Sequence, residues 1–205
     1  MGAEGNPKKL QKKLAELTGY TPMPPMHSLG YHFSKWEDNS AHQIVERNHD
    51  FTKFGFPVDV FWFDSEYAQD YQYGEYDAKR FSQDDVMHMN EAVHSSGRRF
   101  VIAADPHIRA SNDYFMYKEG LAKQGKLIDD HQISNLFVRG PAAKNAYEGE
   151  SRAGKSVWVD FLNDSACDYW KDLFHPSVFK GTNYMYGVWN DMNEPSVYKT
   201  PAHKV

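Results

Sequence analysis

Three aspartates follow short apolar stretches in this chain. Asp64 follows Val58 to Phe63, Asp105 follows Phe100 to Ala104, and Asp191 follows Met185 to Asn190. A carboxylate just past a buried strand can serve as a nucleophile, a proton donor or an anchor for hydroxyl groups. The densest motif is Gly187-Val188-Trp189-Asn190-Asp191-Met192-Asn193-Glu194-Pro195-Ser196, which sets two carboxylates, Asp191 and Glu194, beyond one strand. Hydrolysis of a glycoside needs an anionic group beneath the anomeric carbon and a proton donor near the leaving oxygen. Residues three apart in a turn can point different ways, so the spacing alone does not make these two the pair. The plainer reading is that each aspartate caps the turn or helix after it. Three together, beside aromatic residues, favour a site.

The elements that must position these groups alternate. Asn6, Pro7 and Gly19 bracket a first helix, with Leu10, Leu14 and Leu17 on one face. A Pro-rich connector, Thr21 to Met26, precedes a short strand over Leu29 to Phe33. Ser40 and Gln43 form a capping box for a helix that buries Ala41, Ile44, Val45, Phe51 and Phe54. The strand from Val58 to Phe63 comes next, then a Tyr-rich loop from Ser65 to Arg80. Ser82 and Asp85 cap a helix carrying Val86, Met89 and Val93. The strand from Phe100 to Ala104 precedes a helix over Asp113 to Gln124, which Gly125 is placed to end. Residues 126 to 156 read as a long loop with a short hairpin. Asp164 or Ser165 caps a helix with Ala166, Tyr169, Trp170 and Leu173 inward, and Met185 to Trp189 is the fourth strand.

Strands alternating with helices imply right-handed crossovers and a parallel sheet. The expected class is α/β, a (β/α)8 TIM-barrel type with about the first four strand–helix units present. A full barrel needs about 250 residues. Residues 1–20 read as an N-terminal helix and lead-in, and 21–205 as a partial barrel domain truncated after its fourth strand. A doubly wound open sheet is the alternative, although no Gly-rich phosphate loop follows the first strand. A half barrel exposes its first and fourth strands, so self-association through those edges is expected.

Composition excludes several classes. With 23 basic and 28 acidic residues in 205, the formal net charge is -5, and no basic excess exists to hold nucleic acid. Aromatic residues make up 15% of the chain; they can stack on sugar rings, but core filling explains them equally well. Cys167 is the only cysteine, so neither an internal disulfide nor a cysteine metal cluster is available. His27, His32 and His107 lack a ligand constellation, and no metal or cofactor is expected. No apolar run suits membrane insertion, and Met1 to Lys13 lacks the apolar core of a signal peptide, which leaves a cytoplasmic location open.

The string from Trp189 to Val197 resembles the signature of glycoside hydrolase family 31, the α-glucosidases. Pro24-Pro25, Leu29 to His32 with Trp36, Pro57 to Glu66, Val101 to Ile108 and Trp158 to Asn163 resemble its other segments in the same order. The resemblance runs from about Thr18 to Thr200. It implies a retaining enzyme acting on terminal α-linked glucose of glycans or oligosaccharides, with Asp191 as nucleophile and Glu194 supporting it. Asp64, Asp105, His107, Trp62 and Trp189 would contact the sugar, with Phe63 as a further wall candidate and His107 as a hydrogen-bonding wall residue. Similarity to members that trim N-glycans implies the endoplasmic reticulum lumen and a regulatory subunit as partner.

The chain also departs from the family. Its acid/base aspartate lies downstream of the nucleophile, whereas here only Glu194 follows Asp191. Gly149-Glu150-Ser151-Arg152-Ala153-Gly154 stands where the family has a Trp-Pro-Gly motif, which puts Arg152 in place of an aromatic wall and Ala153 in place of proline. Ser65 replaces a bulky aliphatic residue, Tyr67 replaces a histidine, and Asp129 to Lys144 reads as an insertion. Three readings follow: part of an α-glucosidase, a non-catalytic homologue that binds carbohydrate or has no enzymatic role, and an unrelated (β/α) hydrolase. The signature around Asp191 disfavours the third.

Overall fold

The structure, a computed structural model, describes residues 5–36, 40–129, 135–140, 146–183 and 186–198. The first helix, α1 (Pro7–Thr18), is capped by Asn6, whose side chain accepts from the amides of Lys8 and Lys9. The strands β1 (Tyr31–Phe33), β2 (Val58–Phe63), β3 (Arg99–Ala104) and a final strand over Tyr186–Asn190 form one sheet, all neighbours parallel. Between them run α2 (Ala41–Lys53) and α3 (Gln83–Ser95), each begun by a serine cap: Ser40 accepts from the Gln43 amide, and Ser82 from that of Asp85. Between β3 and the final strand the chain makes β4 (His107–Arg109), α4 (Phe115–Asp129), β5 (Gly149–Ser151), β6 (Gly154–Trp158) and α5 (Asp164–Leu173). The antiparallel order β4-β6-β5 forms a small second sheet, and the final strand is β7.

Several local expectations are corrected. Leu29 closes a 3-10 turn over Met26–Leu29, so β1 starts only at Tyr31. Phe54 is the C-cap of α2 and stays 66% exposed. Helix α4 begins at Phe115 and runs through Gly125 to Asp129. A glycine inside a helix costs only about 1 kcal/mol and stops it only where the backbone turns left-handed. Asn163, rather than Asp164 or Ser165, caps α5, by accepting from the Ser165 amide. The short hairpin expected in 126–156 is β5–β6. The insertion expected over Asp129 to Lys144 falls largely outside the described residues.

The period of two along each strand decides what faces where. Phe61, Phe63, Phe100, Ile102 and Tyr186 share the face toward the helices. Phe63 stacks on Phe100 at 5.1 Å between centroids, and Phe100 stacks on Tyr186 at 4.9 Å. Phe63 is therefore core, not a pocket wall. On the opposite face, Trp62 meets Trp189 edge-on at 5.1 Å across the intervening β3. Small residues there, Ala103 and Gly187, let the two indoles meet. Continuing the same alternation past the strand ends brings Asp64, Asp105 and Asp191 to that second face.

Below the sheet, Arg98 is a clamp. Its guanidinium donates to the Val58 carbonyl at 2.9 Å, to Asn48 O and Oδ1 at 3.0 and 2.7 Å, and to Thr52 Oγ1 at 2.9 Å. The contacts tie α2 to the entries of β2 and β3. The open edges of the sheet are β1 and β7, where Tyr31 and Val188 are exposed. Among the described residues, no helix is long and apolar enough to cross a membrane.

Candidate active site

The register fixes the heights of the three aspartates. Ala104 pairs with Asn190, so Asp105 and Asp191 leave neighbouring strands at the same level, and the Asp191 amide donates to the Ala104 carbonyl at 3.2 Å. Phe63 pairs with Ile102, which places Asp64 two residues lower, level with Ala103. All three lie at the C-terminal ends of parallel strands, where a barrel gathers its functional groups.

Each carboxylate has a different environment. Asp64 does cap the turn after it, accepting from the Ser65 amide at 2.6 Å, as the plainer reading expected. Asp105 is 5% exposed and accepts from the buried hydroxyl of Tyr73. Burial holds its pKa up to about 6, with Asp191 and Asp64 raising it further, while the Tyr73 hydrogen bond and Arg152 pull it down. Asp191 is half-buried and makes no side-chain hydrogen bond among the described residues. Such a carboxylate, unencumbered and held beside two others, suits a nucleophile. Met192, at φ 54, turns the chain immediately after it. Glu194 is exposed in that turn. A cavity of about 350 Å³ borders Asp191, lined also by Pro106, Phe161, Cys167, Trp170 and Asn193 but not by Glu194.

A tyrosine-rich loop supports Asp105 from behind. Tyr67 donates to the Ala103 carbonyl at 3.1 Å and accepts from the Gly74 amide at 3.2 Å. Tyr114 donates to the Tyr73 carbonyl at 2.7 Å. Sequence reasoning noticed the loop but not this role; its signal was the concentration of tyrosines between β2 and α3. Replacing Tyr73 by Phe should raise the Asp105 midpoint by about one unit, because it removes a hydrogen bond to the charged form. A carbon-13 carboxyl titration reads this, and an unmoved or lowered midpoint would contradict it.

His107 opens β4 at 3% exposure, with Nε2 standing 3.4 Å from Asp105 Oδ2. Expected to be a hydrogen-bonding wall residue, it has no hydrogen-bond partner at either ring nitrogen. Burial, and then Arg152, lower its pKa to about 4, so the ring is neutral at pH 7. The two neighbours act oppositely on stability. Between about pH 4 and 6 the folded chain holds the Asp105 proton more tightly than the unfolded chain, so this group costs stability as pH rises. Over nearly the same range the unfolded chain takes the His107 proton more readily, so that group adds stability as pH rises.

Trp62 and Trp189 are half-buried on the sheet face that also carries the three aspartates. Trp62 Nε1 donates to His32 Nδ1 at 2.7 Å, which fixes its indole. The structure thus gathers Asp64, Asp105, Asp191, His107, Trp62 and Trp189 at one end of the sheet and leaves Glu194 on the exposed turn. Arg152 joins them from the turn between β5 and β6, donating to Ser65 Oγ at 2.9 Å. Among the described residues no group of three or more His, Cys, Asp or Glu is arranged to hold a metal ion. A larger hollow of about 760 Å³ lies elsewhere, lined by Phe81, Val86, Phe115, Tyr169, Leu173 and Lys180 among others, and touches none of the three aspartates.

Comparison with known proteins gives the family and the fold. The family profile described as "Glycosyl hydrolases family 31 TIM-barrel domain" matches residues 21–205. Neutral alpha-glucosidase C of Mus musculus is 33% identical over 195 residues, covering 95% of this chain and 20% of the relative. Glucosidase 2 subunit alpha of Schizosaccharomyces pombe is 33% identical over 185 residues, covering 90% of this chain and 18% of the relative. A crystal structure of a glucosidase II alpha subunit superposes with a TM-score of 0.79 at 36% identity, over 95% of this chain and 20% of that one. The chain therefore spans about a fifth of the length of the relatives it matches. It belongs to the glycosyl hydrolases of family 31 and holds four parallel strands of their TIM-barrel domain.

Proposed function

We propose that this chain, a partial barrel domain over 21–205, is part of a retaining α-glucosidase-type glycoside hydrolase acting on terminal α-linked glucose. The observation that carries the reading is Asp191 level with Asp105 on adjacent strand ends, its carboxylate free of hydrogen bonds among the described residues. In the proposed reaction, an Asp191 oxygen bonds to the anomeric carbon as the bond to the leaving oxygen breaks. That oxygen departs with the electron pair and takes a proton from a general acid. Water, deprotonated by the same group, then attacks the anomeric carbon and releases Asp191. No residue after Asp191 except Glu194 carries a carboxylate here, and Glu194 is exposed, so we assign the acid/base to a group beyond these 205 residues.

Asp64, Asp105 and the neutral His107 would hold sugar hydroxyls, with Trp62 and Trp189 forming the floor beneath the ring. The unpartnered nitrogens of His107 support its part, since a buried polar atom without a partner is costly until a ligand satisfies it. Glucosidase II has been solved as an endoplasmic reticulum heterodimer with the binding domain of a regulatory subunit. By that similarity we assign an endoplasmic reticulum setting and a regulatory partner. Arg152, standing where the family has an aromatic wall, favours a second reading, a homologue that binds carbohydrate without turning it over. Hydrolysis of α-glucosyl fluoride separates the two, because fluoride leaves without a proton and the acid/base is then least needed. Turnover that depends on Asp191 supports the enzyme; a folded chain without turnover supports the binder.

A further inference from the structure

The helical layer holds a hollow that the glycosidase reading does not use. It measures about 760 Å³ and lies between α3 on one side and the α4–α5 pair on the other, and none of the three aspartates borders it. Hydrogen bonds fix its walls. Tyr169 of α5 donates to the Met116 carbonyl of α4 at 2.6 Å, and Lys123 of α4 pairs with Asp172 of α5 at 3.1 Å. From the other side, Asn90 of α3 donates to the Gly181 carbonyl at 2.9 Å. Gly181, at φ 88, brings the segment after α5 close against α3, where an added Cβ would stand 3.0 Å from Val86 Cγ1 and 3.3 Å from the Tyr76 ring. The hollow is therefore enclosed by walls that are tied to one another, and its size suits a small organic molecule.

Its lining is aromatic and unevenly charged. Phe81 and Tyr169, both buried, and Tyr76 and Phe115, both partly exposed, border it. Lys123 and Asp172 satisfy each other. Glu75, Glu119 and Lys180 also border it, and among the described residues their side chains make no hydrogen bond or ion pair. Two carboxylates without a partner thus stand against one such ammonium group. Glu75 is exposed overall, yet partial loss of water raises its carboxyl pKa, and no cation offsets that loss.

We propose that this hollow is a binding site for an organic ammonium compound with an apolar body. The charge of such a ligand answers the unpaired carboxylates, and its body covers the apolar side chains. The face of an aromatic ring carries partial negative charge, so the rings attract a cation and disfavour an anion. A neutral molecule of the same shape would leave both carboxylates uncompensated. Lys180 does not reverse the preference, because it is exposed on a long flexible stem and can turn its charge to water. The assignment does not depend on the reading of Asp191.

The test titrates the full chain with three compounds of one shape: 2-phenylethylammonium, 2-phenylethanol and 3-phenylpropionate. Calorimetry gives the affinities, and amide shifts of the nitrogen-15-labelled chain locate each ligand. The ammonium compound should bind at least about fivefold more tightly than either of the others. Its largest shifts should fall on Gly74 and Gly181, which line the hollow, and not on Asp105 or Asp191. The double exchange Glu75→Gln with Glu119→Gln should remove the preference over 2-phenylethanol. Both residues are exposed, so folding should survive, and circular dichroism checks it. Asp191→Asn should leave binding of the ammonium compound unchanged. Tighter binding of 3-phenylpropionate, equal binding of all three, or no binding by the folded chain would each overturn the assignment. Shifts centred on Asp105 and Asp191, with affinity lost in Asp191→Asn, would move the cation to the three aspartates and overturn it as well.

Discussion

Asp191→Asn is expected to lower turnover of α-glucosyl fluoride by at least about a thousandfold. The exchange keeps the shape of the side chain and removes the charge that must bond to the anomeric carbon. Three features make the expected loss chemical rather than structural. Asp191 is half-buried, it makes no side-chain hydrogen bond among the described residues, and its backbone amide bond to Ala104 is untouched. A fluoride electrode reads the rate. The variant should also lower the Asp105 pKa, because the Asp191 charge now raises it. Turnover within about tenfold of the native chain would assign the chemistry to another carboxylate.

Arg98→Met should destabilise the chain by about 3 kcal/mol without touching the pocket. Arg98 is only 7% exposed, and its loss takes a donor from the Val58 carbonyl and from the side-chain oxygen of Asn48 in a buried place, while the Asn48 carbonyl keeps the Thr52 hydroxyl. Methionine fills much of the volume, so the cost reports stranded polar groups more than a cavity. Asn48 keeps its own donations to Ala92 O and Ser96 Oγ, so the α2–α3 contact should survive while the anchor to the sheet loosens. Urea denaturation measures the change as a lower midpoint. A loss below about 1 kcal/mol would mean that water replaces the guanidinium at little cost.

Much of the fold was legible because two periodicities alternate. The runs at 58–63 and 100–104 read as buried strands, Ser40 and Ser82 announced helix starts, and the aspartates at the strand ends marked one end of the sheet. What stayed hidden depended on partners distant in sequence. Leu29 has the composition of a strand residue, yet the turn made by Pro25 and Ser28 ends beside it. Phe63 and Trp62 are equally aromatic, and only the packing of the helices against one face of the sheet decides which of the two alternating positions is core and which lies on the face of the aspartates. Gly125 looked like a helix stop, although nothing local forced its backbone left-handed. The contact between Ser65 and Arg152 was beyond reach, since each stood out alone as a departure and only folding shows them as a pair.

The central claim, that Asp191 forms a covalent glycosyl ester, is tested most directly by trapping it. In 5-fluoro-α-glucosyl fluoride, the ring fluorine slows formation and breakdown of the ester by disfavouring positive charge at the anomeric carbon. The good leaving group restores the first step, so the ester accumulates. The account predicts that the intact chain gains the mass of one fluoroglucosyl group, and that digestion places it on the peptide carrying Asp191. Label on Asp105 or Glu194 instead, or a folded chain that takes up no label, would contradict it.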